Sequence, residues 1–146
     1  MPEALTHFNC KTYEELHKFS TENPEKFWGT LARTRLNWQK PFTKVMDCDM
    51  TKPSFKWFYD GCLNVCEQCV DRHLPTRSNQ TAIIFERDEA GTEQRVTYAE
   101  LHKMVCQVAS VLRNQGVKKG DRVTLYMPMS PLAVASMLAC ARLGAM

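Results

Sequence analysis

From Thr97 to Gly144 the chain reads helix, strand, helix, and that order constrains its fold more than any other feature. Thr97 and Glu100 have the spacing of a capping box, in which each side chain satisfies a backbone N–H of the first turn. Behind them Leu101, Met104, Val105, Val108 and Leu112 fall at i, i+3, i+4, i+7 and i+11, the stripe of a helix with one face in a core. Gly116 stands where a left-handed cap ends such a helix. "RVTLYM" follows, rich in apolar and β-branched residues, and predicts a strand. Ser130-Pro131 then opens a second helix that Gly144 closes. That helix is apolar nearly all round, which predicts burial between layers. Helices alternating with strands predict an α/β fold with a parallel sheet; "RVTLYM" is expected to be central in the whole domain and to lack a neighbour here.

The preceding segments are organised differently. "TAIIFER" and "QRVTY" flank "DEAGTE" and predict a hairpin. Asn64 and Glu67 have capping spacing for a helix running to about Leu74, and "PTRSNQ" reads as a loop. Thr12 and Glu15 cap a short helix with Tyr13, Leu16 and Phe19 on one side. Asn23-Pro24 opens another, striped by Phe27, Trp28, Leu31 and Ala32. From Trp38 to Tyr59 aromatics are dense and periodicity is lost, with Pro41 and Pro53 as punctuation. Irregular chain laid over a larger body is predicted there. The expected organisation is a helical and extended covering segment, residues 1–79. It is followed by the hairpin and the beginning of an α/β layered domain, residues 80–146, incomplete in itself.

A chain of 146 residues is long enough for one domain with a real core. Its 19 Lys and Arg against 16 Asp and Glu give +3, too little and too evenly spread for a nucleic-acid or anionic-membrane partner. The longest apolar stretch, Leu132 to Ala141, is interrupted by Ser136 and falls short of the ~20 residues of a membrane span. "MPEALTHFNC" lacks the basic start and apolar run of a secretory signal, and Glu3, Glu14 and Glu15 with no early Arg argue against a transit peptide. Seven cysteines, an odd number in a chain of this size, read as reduced intracellular thiols.

Three groups of residues invite a functional reading. In "CLNVCEQCVDRH", Cys62, Cys66, Cys69 and His73 have the look of zinc ligands. On one helix, though, Cys66 and His73 stand about 10 Å apart along the axis. Donors to a single tetrahedral zinc lie only ~2–2.3 Å from the metal. Val65, Cys66, Cys69, Val70 and His73 are instead expected to form an apolar stripe, the thiols acting as small hydrophobes. "NQGVKKGDR" is not a phosphate-binding G-x-x-x-x-G-K-[ST] loop, and reads as a helix-to-strand connection with its lysines in solvent. Asp71, Arg72 and His73 are expected to make a structural ion pair at a helix end. Met127, Met129 and Met137 are expected to pack in or beside buried elements. His7, His17 and His102 are expected at the surface.

Read together, longer stretches resemble a known family. "VTYAELHKMVCQVASVLRNQG" and "GVKKGDRVTLYMPMSPLAVASMLACARLGA" are similar to segments of the AMP-forming adenylating enzymes, which include acyl-CoA synthetases and luciferases. "FWGTLAR", "NWQKPFTKVMD" and "FKWFYDGCLNVCEQCVDRHL" resemble, in order and spacing, the N-terminal region of the acetyl-CoA synthetases. The resemblance runs from about Tyr13 to Ala145. "RDEAGTE" and "MSPLAVA" lean towards the mitochondrial form, so an intracellular protein of the mitochondrial matrix or cytoplasm is expected.

The resemblance implies an acetate–CoA ligase that uses ATP, CoA and Mg. Acetyl-adenylate and pyrophosphate form first, then CoA displaces AMP. It also implies a large N-terminal domain with a small mobile lid. The family's Ser/Thr/Gly-rich phosphate loop, its adenine, ribose and acetate residues and its lid lysine have no match in this sequence. The Gly-Gly-Phe segment it places after the Ala-Arg-Leu-Gly-Ala helix would begin beyond Met146. No catalytic, cofactor-binding or metal residue is therefore carried over. The chain is expected to be an N-terminal fragment, inactive alone, that binds none of these cofactors and is marginally stable and prone to aggregate. Two alternatives stand beside this: a truncated, non-enzymatic product that binds another protein, and a synthetase for propionate or another short acid.

Overall fold

The computed structural model describes residues 2–49 and 51–146. The chain forms two compact units, 1–63 and 64–146.

The first unit opens with α1 (Pro2–His7), α2 (Tyr13–Glu22) and α3 (Pro24–Arg35). Thr12 caps α2 by accepting the Glu15 N–H, while Glu15 reaches back to the Lys11 N–H at 2.7 Å. Pro24 begins α3 as its missing N–H allows, although the Asn23 side chain makes no cap bond. Leu16 and Ala32 are buried, whereas Tyr13 and Trp28 are about half exposed. The segment expected to be irregular, Trp38 to Tyr59, instead contains a hairpin of β1 (Lys44–Asp49) and β2 (Ser54–Tyr59). Its strands are antiparallel, with Met46 opposite Trp57 and Cys48 opposite Phe55. The prolines had masked it. Pro41 lies before β1 and Pro53 just before β2, positions where a missing N–H breaks no ladder. Trp38, Phe42 and Phe58 pack with ring centroids 5.0–5.7 Å apart, and Trp38 Nε1 donates to the Ala32 carbonyl at 2.8 Å. Gly61 admits this cluster: a Cβ there would lie 2.6 Å from the Trp38 ring.

The second unit begins with α4 (Val65–Cys69), a 3-10 turn (Asp71–His73) and α5 (Leu74–Arg77). One helix to Leu74 was expected. It breaks at Val70, whose φ of −125° is not helical, and a new turn restarts at Leu74-Pro75 inside the expected loop. The expected Cys66–His73 stripe is broken with it. Cys66 and Val70 are fully buried, but Val65 and Cys69 are exposed. The predicted second hairpin is present as β3 (Thr81–Phe85) and β4 (Gln94–Thr97), paired antiparallel.

Then come α6 (Tyr98–Asn114) and α7 (Pro131–Leu143). Thr97 and Glu100 form the full capping box, and the Ser130 hydroxyl caps α7 by accepting the Ala133 N–H. Gly116 at φ 89° and Gly144 at φ 72° take the left-handed conformations expected of them. The core joins Cys66, Val70, Val96, Leu101, Val105, Ala109, Ala135 and Ala139. The alanines let α6 and α7 approach closely.

The parallel sheet expected of this region is not formed among the described residues: "RVTLYM", expected to lack a neighbour here, lies in no assigned strand, and both sheets are two-stranded and antiparallel. The burial expected of α7 between layers is partial: its main neighbours are α6 and α4, Leu132 and Met137 are about half exposed, and Met127 and Met129 are exposed too.

The capping box gives a testable link between sequence and stability. Thr97→Ala is expected to destabilise the chain by about 1 kcal/mol in urea unfolding. The Thr97 backbone N–H, then its hydroxyl, holds the Glu100 carboxyl below the usual carboxylate range. A lowered folded pKa means this stabilisation is present above the unfolded pKa and is lost as pH falls through the folded one. The acid loss of stability should therefore flatten in Glu100→Gln.

Candidate functional site

The most connected polar group of the second unit is the Asp71 carboxylate. The break at Val70 lets the chain leave α4 and aims Asp71 at the C-terminal end of α7. Arg142 Nη2 donates to both of its oxygens, at 2.8 and 2.6 Å. His102 Nε2, from α6, lies 3.4 Å from Oδ1. The Cys66 thiol lies 3.9 Å from Oδ2, and Cys106 Sγ sits 3.5 Å from His102 Nε2. Asn64 adds a second tie. Its side-chain oxygen caps α4 by accepting the Cys66 and Glu67 N–H groups, and its Nδ2 donates to the Ala141 carbonyl at 2.9 Å. One residue thus serves the first turn of one helix and the last turn of another.

The electrostatics favour a fixed structure over reactivity. Burial pulls the Arg142 guanidinium downward, but hydrogen bonding to Asp71 and the adjoining Cys66 outweigh it, leaving a group more basic than usual. Burial pushes the Cys66 thiol up, partly opposed by the Arg142 charge. A protonated thiol, a permanent cation and a carboxylate bound by that cation do not make a nucleophile with its base. Arg142 Nε is buried and has no hydrogen-bond partner among the described residues. The tie is therefore made through one edge of the guanidinium.

Asp71, Arg72 and His73 do not act together. Asp71 pairs across the unit, Arg72 Nη1 donates to Gln68 at 3.0 Å, and the His73 ring lies against Tyr98 at 5.1 Å. The ion pair at a helix end is present, but its partner is Arg142, which in sequence only marks the end of an apolar run. His102, expected at the surface, is half-buried beside Asp71; His7 and His17 are exposed. Cys62 and Cys69 are exposed and Cys66 is buried. Among the described residues no three His, Cys, Asp or Glu side chains are grouped to hold a metal ion.

The loop after α6 uses its amides internally. Lys118 N–H donates to the Asp121 carboxylate at 2.7 Å, and Gly120 N–H donates to the Gly144 carbonyl at 2.9 Å. It connects α6 to the segment that leads into α7. Among the described residues no helix is long and apolar enough to cross a membrane.

With this geometry, the mixed helices and small antiparallel hairpins match the start of an adenylate-forming enzyme domain. Residues 70–146 match the family model described as AMP-binding enzyme, and the chain belongs to that family. Within it, residues 13–69 match the model described as acetyl-coenzyme A synthetase N-terminus, so the chain corresponds to the N-terminal region of such a synthetase. It is 50% identical over 141 residues to an acetyl-coenzyme A synthetase of Methylobacterium radiotolerans, covering 95% of this chain and 22% of that one. It is 51% identical over 139 residues to the Marinobacter nauticus protein of the same name, covering 94% and 21%. Among solved structures, acetoacetyl-CoA synthetase from Streptomyces lividans superposes with a TM-score of 0.81 at 34% identity, over 92% of this chain and 21% of that one. The chain thus spans about a fifth of the length of the curated relatives it matches. These two relatives are bacterial and lend no support to the mitochondrial form.

Two measurements test the clamp. Arg142→Met should destabilise the chain by about 1–3 kcal/mol, less than for a fully buried pair because the side chains stay partly exposed. Adding Asp71→Asn should recover part of that loss, because no buried charge is then left unpaired. The Cys66 and Cys140 thiols, both raised by burial, make alkali destabilising. Unfolded thiols ionise near ~8.5, so stability is full below that value and falls as pH rises towards the folded pKa. The urea midpoint should drop as pH rises above about 8.5, and less so in Cys66→Ala.

Proposed function

We propose that this chain is the N-terminal scaffold of an AMP-forming acetate–CoA ligase. Such an enzyme activates acetate with ATP to acetyl-adenylate and then transfers the acetyl group to CoA. The observation that carries this reading is the near-50% identity to acetyl-coenzyme A synthetases along almost the whole chain, together with the match of residues 13–69 to their N-terminal family. The proposed organisation remains a covering segment, residues 1–79, followed by the beginning of the AMP-binding domain, residues 80–146. The proposed setting is intracellular.

In this reading the chain contributes support rather than chemistry. Adenylation needs donors and cations placed where charge develops on the phosphates and the carboxyl group. Support for this comes from the polar cluster at Asp71, which bonds within its unit, and from the N–H groups of 115–118, 120 and 121, which bond within the protein. No step is assigned to any side chain of this chain. The 146 residues alone are proposed to be inactive and to bind none of these cofactors.

A second reading keeps the family and changes the acid. It draws support from the likeness to acetoacetyl-CoA synthetase, but 34% identity there against 50% for the acetate enzyme favours acetate.

The test is a chimera in which this chain replaces the corresponding first part of a bacterial acetyl-coenzyme A synthetase. It should catalyse acetate-dependent exchange of pyrophosphate into ATP within about tenfold of the parent, a difference of about 1.4 kcal/mol. The isolated chain should show no exchange. A folded chimera without activity, or one that prefers propionate or acetoacetate, would overturn the acetate reading.

A further inference from the structure

A cleft between α6 and the last turn of α7 is lined by polar groups that the Asp71 tie does not use. Cys106, Ala109, Ser110 and Arg113 contribute from α6, spaced i, i+3, i+4 and i+7 along one flank, and Arg142 and Leu143 from α7 complete the lining. The volume is about 220 Å³, below that of pockets that enclose drug-sized molecules and suited to a small ion. None of the six lining residues is acidic.

Three donors in this lining are unmet. Asp71 takes Arg142 Nη2, but Arg142 Nε is buried without a hydrogen-bond partner among the described residues. A buried donor of this kind is costly, and folded proteins meet such groups with protein, water or an ion. Arg142 keeps 28% side-chain exposure, so an ion in the cleft reaches its guanidinium. The Ser110 hydroxyl is unbonded as well. In other helices Ser20, Thr21, Thr30, Thr34 and Ser136 donate to a carbonyl of the preceding turn, the ordinary use of a helical hydroxyl. Ser110 makes no such bond, and the exposed Arg113 side chain has neither a hydrogen bond nor an ion pair among the described residues. The Arg142 charge is met by Asp71, so the Arg113 charge is left for a ligand. A cation in a last helical turn also suits the helix dipole, which accounts for where both arginines stand. It accounts for neither the unmet Nε nor the idle hydroxyl.

We propose that this cleft binds a small tetrahedral oxyanion of the phosphate class. Arg113 supplies the counter-charge, the Ser110 hydroxyl donates from α6, and the Arg142 guanidinium donates through Nε. Because Asp71 already holds Arg142, that donor is in place before the ion arrives. An oxyanion offers several acceptor oxygens to donors that converge on it, and charge-assisted bonds to arginine are the stronger kind. A lone water would meet Arg142 Nε without calling on Arg113. The inference does not rest on acetate activation and assigns no cofactor.

Titration with sodium phosphate at fixed pH, followed by NMR of the arginine Nε–H signals and compared with sodium chloride at equal ionic strength, tests it. The Arg142 Nε–H signal should move saturably with phosphate and not with chloride. Arg113→Gln should weaken the apparent affinity about tenfold, the loss of one charge-assisted bond. Ser110→Ala, a change that favours the helix, should weaken it roughly fivefold. Both positions are exposed, and an unchanged urea midpoint in the absence of phosphate shows that each variant keeps the fold. No saturable movement, an equal response to chloride, or a response that Arg113→Gln leaves unchanged would overturn the proposal. So would an Arg142 Nε–H that contacts water and ignores phosphate, because a lone water then meets the donor. No activity is read, so failure here is distinct from failure of the acetate assignment.

Discussion

The bond between Arg142 and Asp71 joins residues 71 positions apart and is the tie on which the second unit depends. Two charges removed from water are expensive unless each satisfies the other, and here one guanidinium nitrogen holds both carboxylate oxygens. The pair fixes the end of α7 against the turn after α4, and His102 brings α6 to the same carboxylate. Asn64 repeats the link in neutral form. With α7 held at its end, its alanines can lie against α6 at close range, and the small core of Val70, Val105, Ala135 and Ala139 closes.

The first unit solves its own packing with rings and close approaches. Trp38, Phe42 and Phe58 form its apolar centre, with the Arg33 guanidinium over the Phe42 ring at 4.5 Å. Gly29 lets Val45 approach α3, and Gly61 lets the chain pass the Trp38 ring. Phe58 and Asp60 adopt positive φ, at 51° and 57°, where β2 ends. Asp60 offsets that strain by accepting both the N–H and the hydroxyl of Thr43 at 2.9 Å. Phe55, Trp57 and Tyr59 remain substantially exposed.

The polar groups of the second unit are knit together by the Asp71 carboxylate, which meets Arg142, His102 and the Cys66 thiol. Burial holds Cys66 as a thiol, whereas hydrogen bonding to Asp71, working against burial, keeps Arg142 a cation. The described residues form a closely packed helix pair and two antiparallel hairpins.

The sequence by itself determined the local structure: the caps at Thr12, Thr97 and Ser130, the left-handed glycines 116 and 144, the hairpin around Gly91, and α6 with its core face. Each depends on residues within a few positions of one another, so spacing alone reveals it. The family was legible too, because long blocks of residues keep their order. The hairpin of β1 and β2 was obscured by prolines that flank rather than interrupt it. Only the tertiary structure decided the break at Val70, the burial of His102 and the partner of Asp71. It also decided that both sheets of the described residues are antiparallel. Those features rest on contacts between residues far apart in the chain, or on a neighbouring strand that periodicity cannot supply. A strand is defined by its hydrogen-bonded partner, whereas a helix carries its partners within itself.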